Sequence, residues 1–283
     1  MPVLDDLGRR MKEYYEQIPK TRLMRRTPVI IRIDGRSFHS FAKNFKRPFD
    51  DVLISSMQQT MKYLCENIQG CVLGYHQSDE ISLVLIDYQK LTSDAWFDYE
   101  VQKICSIAAS MATMAFNKIF EQNCIEYSQV VPTTESGREI MTTYSKAAEK
   151  GAMFDARCFN IPKEEVTNCI YWRQLDATRN SIQMVGQANF SHKELHGKSC
   201  NQIQDMLMIQ KGINWNDFPI YQKRGSCCVK ESYSTVDLAT YTGSVAAITR
   251  TRWVINKEIP IFKGEDRDYI DKLIYVGEGM EKI

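Results

Sequence analysis

The run PVIIRID (Pro28 to Asp34) is short, apolar and rich in β-branched side chains, and it closes on Asp34-Gly35. That is the pattern of a buried strand ending in a turn. Working outward, DDVLISSMQQTMKYLCENI (Asp50 to Ile68) places Val52, Leu53, Met57, Met61 and Leu64 at helical spacing. Asp50 and Asp51 stand at its favourable N-terminal end and Gly70 lies just past its close. CVLGYHQ (Cys71 to Gln77) and EISLVLID (Glu80 to Asp87) are strand-like runs separated only by Ser78-Asp79. They predict a tight hairpin with an acidic residue at its tip. A long helix is expected over residues 96–122, and FDARCFNI (Phe154 to Ile161) reads as another strand. Residues 128–150, with Pro132, Gly137 and several Ser and Thr, read as a surface loop or insertion. The order β-α-β-β-α-β is that of the split βαβ, ferredoxin-like arrangement of the α+β class, which lays the first strand beside the hairpin in one antiparallel sheet. Asp34 and Asp79 are then neighbours, although far apart in the chain.

Beyond Pro162 the pattern is helical again, through KEEVTNCIYWRQLDATRNSIQMVGQANF (Lys163 to Phe190) and a second helix over 199–210 ended by Gly212. A β-rich tail is expected from Ser226 to Ile255. The expected organisation is a catalytic unit over 1–162, carrying a basic N-terminal segment, with a helical and β-rich region over 163–283 packed against it. The chain has 283 residues, 43% hydrophobic and 25% charged, which excludes disordered, collagenous and disulfide-scaffold classes. Its longest apolar stretch, Cys105 to Phe116, is interrupted by Ser106, Ser110 and Thr113 and is far shorter than the ~20 residues of a membrane span. MPVLDDLGRR at the start has no apolar secretory core, and the nine cysteines include no C-x-x-C pair. Reduced thiols in a cytoplasmic protein, with no membrane partner, are expected. Net charge is +1, but basic residues crowd the segment before Pro48, Arg25 and Arg26 among them, and such a cluster can neutralise phosphates.

Two carboxylates converging at strand ends are hard oxygen donors suited to Mg²⁺, which binds through one or two carboxylates plus substrate phosphates. Two ions held there could activate an attacking hydroxyl and stabilise the leaving oxygen of an in-line displacement at phosphorus. Asp34, Asp79 and the Gly35 carbonyl are the candidate ligands. Glu80 follows Asp79, and strand alternation places it on the opposite face, so it ranks below the aspartates as a catalytic candidate. Arg36, Ser37, Phe38 and His39 offer backbone N–H groups, a guanidinium, a ring to stack and an imidazole, and Ser78 adds a hydroxyl across the hairpin. His192, His196 and Cys200 have zinc-like spacing, but Gly197 interrupts the helix they would share and no fourth ligand is evident.

The segments RIDGRSFHSF (Arg32 to Phe41), KRPFD (Lys46 to Asp50), GYHQSDEIS (Gly74 to Ser82), FDARCF (Phe154 to Phe159) and WRQLDATRNS (Trp172 to Ser181) resemble the tRNA-His guanylyltransferase family and its guanylyltransferase-like branch. The resemblance runs from about residue 5 to Val229. It implies a fold similar to a polymerase palm, and an enzyme that adds nucleotides to the 5′ end of tRNA in the 3′-to-5′ direction. It further implies two Mg²⁺ at Asp34, Gly35 and Asp79, nucleotide contacts from residues 34–39 and Ser78, and phosphate contacts from Lys103. Arg47 and Asp50 match positions associated with 5′ activation by ATP or GTP. Arg25, Arg26, Arg173, Arg179 and Asn180 are the candidate tRNA contacts, and a homotetramer is implied. One departure stands out: dedicated tRNA-His enzymes carry a His-Ile-Asn-Asn stretch where this chain reads Thr178-Arg179-Asn180-Ser181. That favours template-dependent repair of 5′-truncated tRNAs, using several NTPs, over addition of one guanosine to tRNA-His. A tRNA-binding module without turnover is the reading from another class.

Overall fold

The computed structural model describes residues 6–238 and 245–276. Six antiparallel strands form one sheet in the order β4-β1-β3-β2-β5-β6, with β1 Val29–Gly35, β2 Cys71–Gln77, β3 Glu80–Leu85, β4 Phe154–Asn160, β5 Ser226–Leu238 and β6 Val245–Asn256. The first four make the ferredoxin-like core of this α+β fold. The last two extend the same sheet, so the C-terminal half pairs directly with the hairpin strand β2.

Alternation along β1 sorts its side chains between two layers. Val29, Ile31 and Ile33 face a core built with α1 (Asp51–Asn67) and α2 (Val101–Ser128), where Met57, Met61, Leu64, Ile104, Ala108 and Phe116 are buried. Ile30 faces the other layer, where Val166 and Ile170 of α4 (Lys163–Asn189) and Ile270 and Ile274 of α7 (Asp268–Ile274) close over it. Each fully buried Ile, Leu, Met or Phe contributes about 1.5–3 kcal/mol. Both faces of the sheet are therefore held, and β1 delivers Asp34 to its end with little freedom.

Two expectations are corrected. Residues 128–150 are not a loop throughout: α3 spans Glu135–Lys150, capped by the Thr134 hydroxyl, which accepts from the Gly137 N–H at 3.2 Å. Tyr144 of α3 packs edge-on to Phe45 and Phe120, so core contact overrides a composition that reads as loop. The long helix expected from Trp96 begins at Val101, after a separate turn over Trp96–Tyr99, and runs on to Ser128. The helical turn His192–Leu195 stops before His196, whose ring centroid lies 6.0 Å from that of His192, and Cys200 opens a separate helix. No group of three or more His, Cys, Asp or Glu side chains gathers for a metal among the described residues. Further helices among the described residues include α5 (Cys200–Lys211), ended at Gly212 in the left-handed region, and α6 (Ile220–Arg224), with short helical turns at Asp6–Met11 and Phe38–Phe41. All nine cysteines are free thiols, and among the described residues no helix is long and apolar enough to cross a membrane.

Candidate active site

The end of β1 and the tip of the β2–β3 hairpin are joined by a hydrogen bond: the Gly35 N–H donates to the Asp79 carbonyl at 3.1 Å. Asp34 and Asp79 thus approach at one end of the sheet. The residue between the strand and its turn must be glycine, because a Cβ at Gly35 would lie 2.2 Å from the Phe38 ring. Ser37 and Ser78, in the two turns that flank the carboxylates, both hold positive φ, 54° and 53°. Such backbone costs on the order of 1 kcal/mol or more and persists where surrounding structure imposes it.

Burial raises the pKa of Asp34, and the Asp155 carboxylate, directly across on β4, raises it further against the pull of Arg157, Arg32 and Arg173. Burial likewise raises that of Asp79, with the Asp34 carboxylate adding to the effect and the Ser78 hydroxyl opposing it. The pair is negative charge held close and incompletely neutralised, an environment that favours a bound cation.

Glu80 corrects the sequence reading. Alternation counted from Asp79 places it on the far face, but Asp79 still lies in the hairpin turn and β3 begins at Glu80, which pairs directly opposite Asp34 and so shares its face of the sheet. Its carboxylate accepts two hydrogen bonds from Arg173 of α4, at 2.7 and 2.8 Å, with Arg32 at 4.0 Å. Arg173 also donates to Asp176 at 3.0 Å. Both partners of the Glu80–Arg173 pair are buried, so Arg173, expected as a tRNA contact, is committed to holding the hairpin against α4.

A cavity of about 370 Å³ opens beside Asp79, lined by Phe38, His39, Ser78, Asn180 and Asp50 among the expected residues. Its remaining wall is largely apolar, from Phe49, Leu53 and Met184, with the amides of Gln77 and Gln222. Phe38 is chiefly a core residue, its ring centroid 5.0 to 5.5 Å from those of Phe41, Phe116 and Phe154. Asp50 is the N-cap of α1: its carboxylate accepts from Leu53 N–H at 2.9 Å, Lys46 N–H at 3.0 Å and the Tyr144 hydroxyl at 2.7 Å. It fixes the Lys46–Phe49 turn, on which Arg47 is exposed. Arg36 is exposed too, its N–H held by the Met153 carbonyl at 2.8 Å.

A family model for tRNA(His) guanylyltransferase matches residues 8–162. The chain belongs to the tRNA(His) guanylyltransferase family. A solved bacterial tRNA(His) guanylyltransferase-like protein in complex with ATP is 41% identical, with a TM-score of 0.77 over 96% of this chain and 100% of that one. A bacterial protein of the same description in complex with GTP is 39% identical, with a TM-score of 0.73 and the same coverage. The probable tRNA(His) guanylyltransferase of Dictyostelium discoideum is 27% identical over 222 residues, 74% of this chain and 77% of its own.

Within this family fold, Lys103, Arg25 and Arg26 lie away from the carboxylates, whereas Asn180 lines the cavity beside Asp79 and Arg179 precedes it on α4. Lys103 sits in the first turn of α2 with its Nζ 5.5 Å from the Phe97 ring centroid. Cys105, two residues on, meets Cys158, which pairs with Ile31, well back along β1 from Asp34. Arg25 precedes β1 and its guanidinium is bound to Asp98, while the Arg26 N–H donates to the Asp87 carboxylate at 2.9 Å. Arg179 is exposed on α4 and paired with Asp176, to which Asn180 also donates at 3.4 Å.

Sequence reasoning missed Tyr221 and Gln222, which reach the cavity from α6, and it missed His76. The His76 Nε2 faces the Ser78 carbonyl at 3.0 Å, so it carries the proton there, and Nδ1 accepts from the Ser226 hydroxyl at 3.4 Å. That hydroxyl in turn accepts from the Gln58 amide at 3.1 Å. Gly225, at φ 84°, lets β5 come this close, since a Cβ there would stand 2.3 Å from the His76 carbonyl oxygen. Burial pushes the His76 pKa down to about 4. The unfolded chain accepts this proton near pH 6.5 and the folded one does not, so the stability tied to neutral His76 is present above 6.5 and is lost as pH falls toward 4. The stability advantage of wild type over His76→Gln is expected to shrink by on the order of 3 kcal/mol between pH 7 and pH 4. Denaturant unfolding across that range measures it; a constant gap contradicts it.

Proposed function

We propose that this protein is a nucleotidyltransferase that adds nucleotides to the 5′ end of tRNA in the 3′-to-5′ direction, repairing tRNAs that lack their first 5′ nucleotide. The incoming NTP is chosen by pairing with the 3′ strand. The observation that carries this reading is the approach of Asp34 and Asp79 at one sheet end, beside a cavity of nucleotide-binding size. Residues 1–162 supply the palm-like catalytic part, and residues 163–283 pack on it through α4 and β5.

The donor set suits Mg²⁺: oxygen ligands alone, two carboxylates and the Gly35 carbonyl, with substrate phosphates to complete the shell. Two ions bound there would neutralise charge on the reacting phosphate and favour the ionised form of the attacking hydroxyl. The chain's own residues do the positioning. The cavity takes the base against Phe49, Leu53 and Met184, with Gln77, Gln222 and Asn180 at its polar edge. Ser37 and Ser78, with His39, face the sugar and phosphates. Glu80, locked by Arg173, holds the hairpin tip still. A 5′ monophosphate is a poor electrophile, so its oxygen first attacks the α-phosphate of ATP or GTP, releasing pyrophosphate. The 3′-hydroxyl of the incoming NTP then attacks the activated 5′ phosphate, and the nucleoside monophosphate leaves. The reading carries with it a homotetramer and a cytoplasmic location.

Substrate choice follows from Thr178. Its hydroxyl donates to the Gln174 carbonyl one turn back on α4, at 3.0 Å, so it offers neither a ring nor a free cationic donor to a particular tRNA. Recognition then falls to phosphate contacts and template pairing, and phosphate contacts carry no sequence information. Several tRNAs lacking their first nucleotide are expected to be extended faster than intact tRNA-His receives a guanosine. Parallel kcat/KM measurements on both substrate types test this. The opposite preference would return the chain to single-guanosine addition on tRNA-His, the activity named for the Dictyostelium relative. Tight tRNA binding with no turnover would make it a binding module.

A further inference from the structure

On the face of the sheet that carries Asp34, one group of side chains is left unexplained by the site above. Trp172 of α4 is 53% exposed. It is flanked by two guanidiniums: Arg173, whose Cζ lies 4.5 Å from the ring centroid, and Arg32, at 5.8 Å. Arg32 stands two residues before Asp34 on β1, hence on the same face, and pairs directly opposite Arg157 of β4. Like charges directly opposite on neighbouring strands destabilise a sheet. Neither arginine is fully neutralised by a close partner: Arg157 meets Asp155 at 3.1 Å with both side chains half exposed, and Arg32 comes no nearer than 4.0 Å to a Glu80 already held by Arg173. The arrangement leaves a half-exposed aromatic ring and two neighbouring cations on the face of the sheet that carries Asp34.

We propose that Trp172, Arg32 and Arg157 form a docking platform for the end of an RNA strand, with a base stacked on Trp172 and a backbone phosphate between Arg32 and Arg157. The chemistry of each part fits. An exposed indole takes any base, because every base presents a π face, and such stacking is sequence-tolerant. Guanidiniums bind phosphate oxygens in a fixed fork. The phosphate also relieves the Arg32–Arg157 repulsion that the free protein carries. This rests on the function proposed above, and it moves the RNA contact from Arg173, which is buried and spoken for, to its neighbour Trp172. The result is a contact that does not discriminate among tRNAs, set beside Asp34.

The experiment measures tRNA affinity and ATP affinity separately, on full-length protein, with a 3′-labelled tRNA lacking its first nucleotide as the RNA probe. Trp172→Ala is expected to weaken RNA binding by about 5- to 150-fold, the range of one lost base stack, with ATP affinity unchanged. Trp172→Phe, which keeps a ring, should recover most of the loss. Arg157→Gln should reduce the slope of log affinity against log salt by about one phosphate contact. RNA affinity within twofold of wild type in Trp172→Ala overturns the platform. So does a changed sedimentation coefficient with RNA affinity intact, which would make the ring a contact between copies of the chain. Wild-type protein that binds ATP but no tRNA removes the function and the platform with it, and this outcome is distinct from a loss confined to the variants.

Discussion

Asp79→Asn and Asp34→Asn proteins are expected to lose nucleotidyl transfer by on the order of 10³-fold or more while melting no lower than wild type. On the proposed mechanism each substitution removes one of the two carboxylates that would hold the metal, and metal stabilisation of a reacting phosphate is worth several kcal/mol, each 1.36 kcal/mol being tenfold in rate. Stability moves the other way for a reason visible in the electrostatics. Both carboxyls have pKa values raised in the fold, by burial first and by neighbouring carboxylates second. A carboxylate whose folded pKa lies above its unfolded one binds more protons folded than unfolded, so its charged form opposes folding at neutral pH. Asparagine keeps the shape without the charge. Melting temperature in metal-free buffer and single-turnover rate with Mg²⁺ separate the two effects; turnover at the wild-type rate in either variant would remove the metal assignment.

The second large effect falls on Arg173. Replacing it by alanine leaves Glu80 buried without its bidentate partner, opposite Asp34 and beside Asp79. Breaking a buried ion pair from one side costs about 3–5 kcal/mol, chiefly through the charge left behind. For a chain of this size that corresponds to roughly a 10 °C fall in melting temperature. The double variant Arg173→Ala, Glu80→Gln should recover part of the loss, because no uncompensated charge remains. Equal losses in the single and double variants would mean that Arg173 acts by packing alone.

Apart from α3, the order of the strands and long helices through Asn160 was legible because each of those elements announces itself locally. PVIIRID is β-branched and ends on a turn, and only two residues separate β2 from β3. The placement of Asp34 beside Asp79 follows from that order without any knowledge of side chains. What was not legible depends on contacts remote in the chain. The helix Glu135–Lys150 hides behind Ser, Thr and Gly, and it forms because Tyr144 reaches Phe45, Phe120 and Asp50. The face of Glu80 is set by its pairing with Asp34 at the first position of β3, and counting alternation from Asp79, which belongs to the turn, misses it. Arg173 reads as a polar helix position until the hairpin is laid against α4. Tyr221, Gln222 and Ser226 join the cavity and the His76 chain from the C-terminal half, where their sequence carries no motif.

The central claim, that Asp34 and Asp79 carry 5′ nucleotide addition, is tested most directly by a single-turnover assay on a tRNA lacking its first nucleotide and already bearing a 5′ triphosphate, so that activation is bypassed. With Mg²⁺ and the NTP complementary to the unpaired 3′-strand base, wild-type protein should lengthen the RNA by one nucleotide at its 5′ end, and Asp34→Asn and Asp79→Asn should leave it unextended. Label joined at the 3′ end, or extension by either variant at the wild-type rate, would contradict it.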